Sequence, residues 1–370
     1  CPNQQGHVVI APELQACLEL MRGGSKTFFA ASRWLPPRVR SAAVVLYAFC
    51  RVADDLVDEG DDCQQALAQL HERLDAIYAQ APQPFVEDQA LAVVVQQHDL
   101  PRAWLDALLE GFAWDAQGRR YHTLQDVHAY AARVAGSVGT MMAWLMGARS
   151  QSTLARAAEL GLAMQLTNIV RDVGEDAARG RVYLPEQWLR EEGLSAATVM
   201  ASLQTSAPLQ RVTARLLDEA SALYERASVG IAALPADCRQ AIWAARWVYA
   251  EIGAQVRRHN LDSVSRRAVV GRSRKAWLLT RAWMDAQAAA QVSSAVPPAA
   301  VPAIEFLLGA VPADLVDGAG VRTPVRRNPE QRVVWMLELF ERLAHERRGM
   351  RHGSMACTTD ERSRGTYSVS

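Results

Sequence analysis

Gln165-Leu-Thr-Asn168-Ile-Val-Arg171-Asp172-Val-Gly-Glu175-Asp176 carries two patterns at once. Leu166, Ile169, Val170 and Val173 recur at three- and four-residue spacing, which is the signature of a helix with one packed face. Residues four apart lie about 40° apart around a helix axis, so Asn168, Asp172 and Asp176 form one stripe, opened by Gln165. Aspartate and asparagine are poor helix-interior residues, and glutamate would serve a merely solvated face better. A row of side-chain oxygens with Arg171 beside it suits hard cations and their phosphate partners. A solvated acidic face is the other reading that the stripe alone allows.

Outward from this stretch the same periodicity continues. Alanine, leucine and arginine dominate the 370 residues, half of which are hydrophobic, and β-branched alternation is scarce. The chain therefore reads as all-α. Helices are predicted over 11–22, 41–58, 62–80, 87–97, 102–115, 124–146, 152–177, 208–233, 237–258 and 273–290. Prolines at 36–37, 82, 84, 101, 185 and 235 punctuate them. There is no internal repeat, G-x-G-x-x-G or Walker sequence.

Composition shifts near residue 290 to a stretch rich in Ala, Ser, Val and Pro, followed by a basic run at Arg322–Arg332 and a polar tail. The expected organisation is a helical catalytic unit over 1–290 and a partly disordered extension over 291–370. Within the extension, Gln331–Arg348 has the pattern of an amphipathic helix. Forty basic side chains balance forty acidic ones, so no nucleic-acid partner is expected. Six cysteines show no C-x-x-C spacing, and no apolar run is long enough to span a bilayer. These features point to a reduced, cytoplasmic protein without a zinc site.

A second acidic motif lies upstream in Tyr47-Ala-Phe-Cys-Arg51-Val-Ala-Asp54-Asp55-Leu-Val-Asp58-Glu59. Asp54 and Asp58 share a helix face, with Arg51 and Tyr47 behind them. Two aspartates packed together raise each other's proton affinity unless a cation neutralises them. Two such motifs facing each other across a bundle would bind two or three Mg²⁺ ions, bridged to a diphosphate.

At this point the chain resembles the squalene and phytoene synthase family. The resemblance spans roughly residues 15–285. It rests on Ser25-Lys-Thr-Phe28-Phe29, Tyr47 to Asp58, Tyr130-Ala-Ala-Arg-Val-Ala-Gly136-Ser-Val-Gly139, and Gly161 to Asp176 with its continuation Arg181-Val-Tyr183-Leu-Pro185; Tyr249 and Arg257–Arg267 complete it. One departure is visible, Ala132, where the family often carries a second tyrosine.

The resemblance implies a single large bundle of the isoprenoid synthase type, the trans-isoprenyl diphosphate synthase-like fold, with a central active-site cavity. It implies metal ligation by Asp54, Asp58, Asn168, Asp172 and Asp176, with Mg²⁺ as the ion and Mn²⁺ as its substitute. Those four aspartates, with Arg51 and Tyr47, take the catalytic positions. Ser25, Phe28, Tyr47, Arg51, Gln165, Asn168, Arg171, Tyr249 and Arg266 take the substrate-binding ones.

The implied reaction is head-to-head condensation of two prenyl diphosphates. Geranylgeranyl diphosphate giving phytoene is the expected case, without NADPH. The Val134–Met142 run resembles the bacterial phytoene-forming members, and small Ala30, Ala31 and Ser32 leave room for a long chain. A C30 enzyme using farnesyl diphosphate, giving dehydrosqualene or squalene, is the alternative. A non-catalytic scaffold relative is the reading from another class. Val44, Val138, Met141, Met142, Leu145 and Leu162 are expected near the pocket, with Trp34 and Trp144 as further pocket candidates. An insoluble product implies peripheral membrane contact, placed at Arg322–Arg332 or the helix after it, and other carotenoid-pathway enzymes as partners.

Overall fold

The structure is a computed structural model that describes residues 11–24, 34–59, 62–288 and 299–311. Ser25 and Phe28 lie outside the described residues, as do Ala30 to Ser32, Arg322–Arg332 and Gln331–Arg348. So does the rest of the expected extension apart from 299–311.

The elements are α1 (Ala11–Gly24), α2 (Pro37–Glu59), α3 (Cys63–Tyr78), α4 (Val86–His98), α5 (Arg102–Ala116), α6 (Leu124–Ala131), a π-helical turn (Ala132–Gly136) and α7 (Ser137–Leu145). They continue with α8 (Gln151–Arg171), α9 (Val173–Ala178), α10 (Glu186–Glu191), α11 (Ala196–Ser202), α12 (Ala207–Ala233), α13 (Ala236–Arg258) and α14 (Arg272–Ala288). A 3₁₀ turn (Pro302–Ile304) and α15 (Glu305–Gly309) close the described chain. No strand occurs among the described residues. No helix among them is long and apolar enough to cross a membrane.

Helix starts follow local chemistry. Thr123 accepts from the Asp126 backbone N–H while the Asp126 carboxylate accepts from the Thr123 N–H, a reciprocal cap for α6. Ser150 caps α8 and Ser206 caps α12 in the same single-sided way. Pro37 opens α2, where its missing N–H would have had no helical partner.

The hub is α8, which is buried on several faces by Leu154, Ala158, Leu162, Ala163, Leu166, Ile169 and Val170. It packs against the π turn, α7, α12 and α13. Close approach is possible because side chains are missing where backbones meet. A Cβ at Gly161 would collide with Ala135 O, and one at Gly139 with Ala157 O. Gly136 and Gly139 thus act in helix packing, as their spacing suggests.

Two features depart from the sequence reading. The helix expected over 152–177 is broken at Asp172, where φ −109° and ψ 14° replace helical values. The cause is a loop from elsewhere: the Gly174 N–H donates to Ser263 O at 3.1 Å instead of joining the helical ladder. A Cβ at Gly174 would stand 2.5 Å from Val264 O, so the loop can dock only on a glycine.

The second departure concerns residues 299–311, assigned by composition to the extension. They pack on the helical body. Leu307 is fully buried, and its carbonyl accepts a 2.8 Å hydrogen bond from Trp104 Nε1. The Val301 N–H donates to the buried Glu159 carboxylate at 3.2 Å. Ile304 and Leu307 supply the apolar anchors that the surrounding prolines obscure in the sequence.

Candidate functional site

The two acidic motifs come from different elements. Tyr47, Arg51, Asp54 and Asp58 project from α2. Gln165, Asn168 and Arg171 project from the end of α8, Asp172 sits at the break, and Asp176 rides on α9. The break leaves the stripe intact, because the Asp172 N–H still donates to Asn168 O at 2.9 Å and the Asp176 N–H to Asp172 O at 2.8 Å. Gly180, at φ +77°, then turns the chain back, and the Arg181 N–H donates to Asp176 O at 2.8 Å. From there the Arg181 guanidinium reaches across to Asp58 Oδ1 at 2.9 Å, joining the two motifs.

A third carboxylate, on α5, stands between them. Asp115 accepts a hydrogen bond from Tyr130 Oη at 2.7 Å and another from Tyr183 Oη at 2.8 Å. The rings of Tyr130 and Tyr183 stack with centroids 5.0 Å apart, and Tyr121 lies against both. Tyr183 is held there because the N–H groups of Glu186 and Gln187 donate to the carbonyls of Tyr121 and His122. Tyr130 therefore has a defined place in the site even though Ala132 replaces the second tyrosine of the block.

The electrostatics follow from this crowding. Withdrawal from bulk water, followed by the neighbouring Asp58, pushes the Asp54 carboxyl up to about 6. Withdrawal from water, followed by Asp172, pushes Asp176 up to about 7. Burial also raises Asp115, against the pull of its two tyrosine hydrogen bonds. Asp115 adds repulsion at both Asp54 and Asp176, which places the three within one field.

Arginines cover the remaining charge. Arg51 pairs with Asp54 at 3.5 Å and more closely with Asp55. Arg171 makes a two-pronged contact with Asp172, through Nε at 2.8 Å and through its terminal nitrogen. Arg267 Nε lies 3.1 Å from Asp172 Oδ1, and its terminal nitrogen lies 3.5 Å from Glu175. Arg266, the residue expected here, is exposed beside it on the same loop and pairs with no carboxylate among the described residues.

Below the acidic mouth lies an apolar cavity of about 260 Å³. Gln165, Asn168 and Tyr249 form its polar end, and Met146, Thr153, the buried Arg156 and Leu234 its far end. Its walls include Val138 and Met142, as expected. Met141, Leu145, Leu162 and Val44 are instead fully packed core and do not line it. Trp144 is also core, edge-on to Trp104 and donating to His98 O at 2.7 Å; Trp34 is buried and does not line the cavity either.

The donors suit a divalent cation. Asn168 Oδ1 is buried without a hydrogen-bond partner among the described residues. Asp54 and Asp176 hold protons more tightly than free carboxyls, a strain that a cation relieves. The described residues form no ready-made cage of three acidic, histidine or cysteine side chains.

Comparison with known proteins adds the family context. The squalene/phytoene synthase family model matches residues 21–274. A phytoene synthase of Rhodobacter capsulatus is 46% identical over 343 residues, covering 92% of this chain and 98% of its own length. A phytoene synthase of Cereibacter sphaeroides is 48% identical over 282 residues, covering 73% and 79%. Among solved structures, a dehydrosqualene synthase in complex with ligand superposes with a TM-score of 0.68 at 31% identity, covering 75% of this chain and 97% of its own.

Proposed function

The chain belongs to the squalene/phytoene synthase family, and from that premise we propose that it condenses two geranylgeranyl diphosphates head to head, through prephytoene diphosphate, to phytoene. It is a prenyltransferase that releases two diphosphates per turnover. The observation that carries the reading is the facing of two arginine-flanked aspartate motifs over an apolar cavity.

Each part of the site has a task that its chemistry suits. Arg51, Arg171 and Arg266, with Arg267 beside it, receive diphosphate oxygens, since a planar guanidinium donates two hydrogen bonds and stays charged. Gln165, Tyr47 and Tyr249 orient the substrate head group at the polar end. Asp54, Asp58, Asn168, Asp172 and Asp176 would hold Mg²⁺, or Mn²⁺ in its place. A bound divalent cation supplies Lewis-acid stabilisation of the departing diphosphate.

The cavity does the rest. Its apolar wall keeps water from the allylic cation, which water would quench to an alcohol. It runs along α8 from Asn168 to Thr153, about 22 Å at 1.5 Å per residue, a length that accommodates a long prenyl tail. The Asp115–Tyr130–Tyr183 cluster adds a polar wall whose carboxylate acts on Asp54 and Asp176, one in each motif. Loss of a proton, with no reductant, closes the reaction on the central double bond.

The test is direct. Purified protein with Mg²⁺ receives geranylgeranyl or farnesyl diphosphate separately, with and without NADPH, and the hydrocarbon is identified. Phytoene from geranylgeranyl diphosphate, unaffected by NADPH, is expected. A C30 hydrocarbon as sole product would overturn the chain length, and no product from a folded protein would overturn the activity.

A further inference from the structure

Most exposed apolar side chains are scattered singly, as on any soluble surface. One helix differs. On α14 and just before it, Val269 is 60% exposed, Met284 51%, Trp277 48% and Trp283 46%. Leu278 and Ala282 are the buried residues of this helix. At 100° per residue, Trp277, Met284 and Trp283 spread over about 120° of arc, centred opposite that buried pair. The aromatic side chains therefore sit on the outermost face.

Cations flank that arc on both sides. Between Ser265 and Ala288 the sequence holds six basic residues and one acid, within a chain whose formal net charge is zero. Arg272 is exposed and forms no ion pair among the described residues. Arg274 and Arg281 lie inward of the tryptophans. Arg274 stands 4.4 Å over the Trp277 ring and 2.9 Å from Glu251, and Arg281 stands 3.5 Å over Trp247. Trp277 is thus braced from below while half of it faces outward, so ordering it at an interface loses little further side-chain entropy.

We propose that this face of α14, with Val269, docks the protein onto the surface of an anionic lipid bilayer. Tryptophan and basic side chains together match the interfacial region, where rings sit at head-group depth and cations meet lipid phosphates. The location also suits the site. The segment leading into α14 carries Arg267 to Asp172, and α14 packs on α13, whose Tyr249 lines the cavity. Docking here places the loop that carries Arg267 at the lipid boundary. The face itself carries the proposal, independently of which hydrocarbon the enzyme makes.

The experiment is vesicle co-sedimentation of the full chain without substrate. Vesicles of phosphatidylcholine alone are compared with vesicles containing one third phosphatidylglycerol, at low and high salt. The wild type is expected to partition onto the anionic vesicles, less strongly at high salt. The triple change Trp277→Ser, Trp283→Ser and Met284→Ser is expected to lower that partition at least about tenfold. The single change Arg272→Glu, at an exposed position, lowers it on anionic vesicles only, and Val229→Ser, an exposed apolar residue of α12, leaves it unchanged. Circular dichroism checks the fold of each variant.

Equal binding to neutral vesicles, or binding unaffected by both the triple change and Arg272→Glu, would overturn the proposal. So would a wild type that ignores vesicles but loses self-association, by light scattering, when the three side chains are replaced. If the triple variant fails to fold, Arg272→Glu and the single Trp277→Ser decide by the same criteria.

Discussion

Arg181 and Asp58 meet at 2.9 Å across the mouth of the cavity, and each belongs to a different half of the site. Asp58 ends the first motif on α2, whereas Arg181 follows the turn that closes the second. Hydrogen bonding to Asp58 raises the already high proton affinity of Arg181, so its guanidinium stays charged throughout the working range. Arg181→Ala is expected to lower kcat/KM by about ten- to a hundredfold, as charge-assisted hydrogen bonds contribute about 1.5–3 kcal/mol. Both partners are about one-third exposed, so the stability change stays below about 1 kcal/mol. Steady-state kinetics beside thermal melts separate the two; equal kinetics in the variant would remove Arg181 from the site.

Stability should respond to pH with a defined sign. Asp54 and Asp176 hold their protons to about 6 and about 7, above the 3.8 of a free aspartate. The folded chain therefore binds more protons than the unfolded one between about pH 4 and 7, and their contribution to stability falls as pH rises through that window. The metal-free protein should gain more in Tm from Mg²⁺ with pyrophosphate near pH 8 than near pH 5. Asp176→Asn should flatten the metal-free Tm profile across that window and abolish turnover. A profile as steep in the variant as in the wild type would contradict the assignment.

Gly174 controls the docking of the loop that carries Arg267. With Val264 O only 2.5 Å from where a Cβ would sit, Gly174→Ala pushes the loop away. A destabilisation of about 1–3 kcal/mol is expected from overpacking. Loss of the Arg267–Asp172 contact should also reduce kcat/KM about tenfold. Arg267→Ala alone should reproduce the kinetic loss without the drop in Tm. Full activity in both variants would show that the docked loop is irrelevant to turnover.

Tail length should be set at the far end of the cavity. Met146→Trp fills the wall next to Thr153 and Leu234, leaving the polar end untouched. Turnover of geranylgeranyl diphosphate should fall at least about tenfold relative to farnesyl diphosphate, the discrimination that about 1.4 kcal/mol provides. Equal losses on both substrates would indicate damaged packing instead of a shortened pocket.

How much of this was legible beforehand can be followed residue by residue. Most of the helices from 11–22 to 273–290 match the observed elements, because a 3.6-residue period and its caps are local properties; the π turn inside 124–146, the break inside 152–177 and the short helices at 186–191 and 196–202 left no such mark. The face shared by Gln165, Asn168, Asp172 and Asp176, and the one shared by Asp54 and Asp58, were visible for the same reason. Val138 and Met142 line the cavity while Met141 and Leu145 vanish into the core, a distinction that composition cannot carry because all four are apolar. Asp115 gave no signal, being one aspartate in an ordinary helix. Arg181 and Tyr183 stood in the quoted block and were read only as its continuation. Arg266 and Arg267 are adjacent and identical in type, and only the loop's path decides that Arg267 is the one paired with Asp172.

The sequence by itself determined an all-α chain, the stripe Asn168–Asp172–Asp176 and its partner Asp54–Asp58, since side-chain direction on a helix follows from residue spacing. The tertiary structure alone decided that Asp172 breaks the helix, that Arg267 covers it and that Asp115 stands between the motifs. It also decided where the cavity ends. Each of these depends on which backbone arrives from a distant part of the chain: Ser263 at Gly174, Arg181 at Asp58, Leu307 at Trp104. Local periodicity fixes what a helix offers, and close packing between remote segments selects which of those offers are taken up.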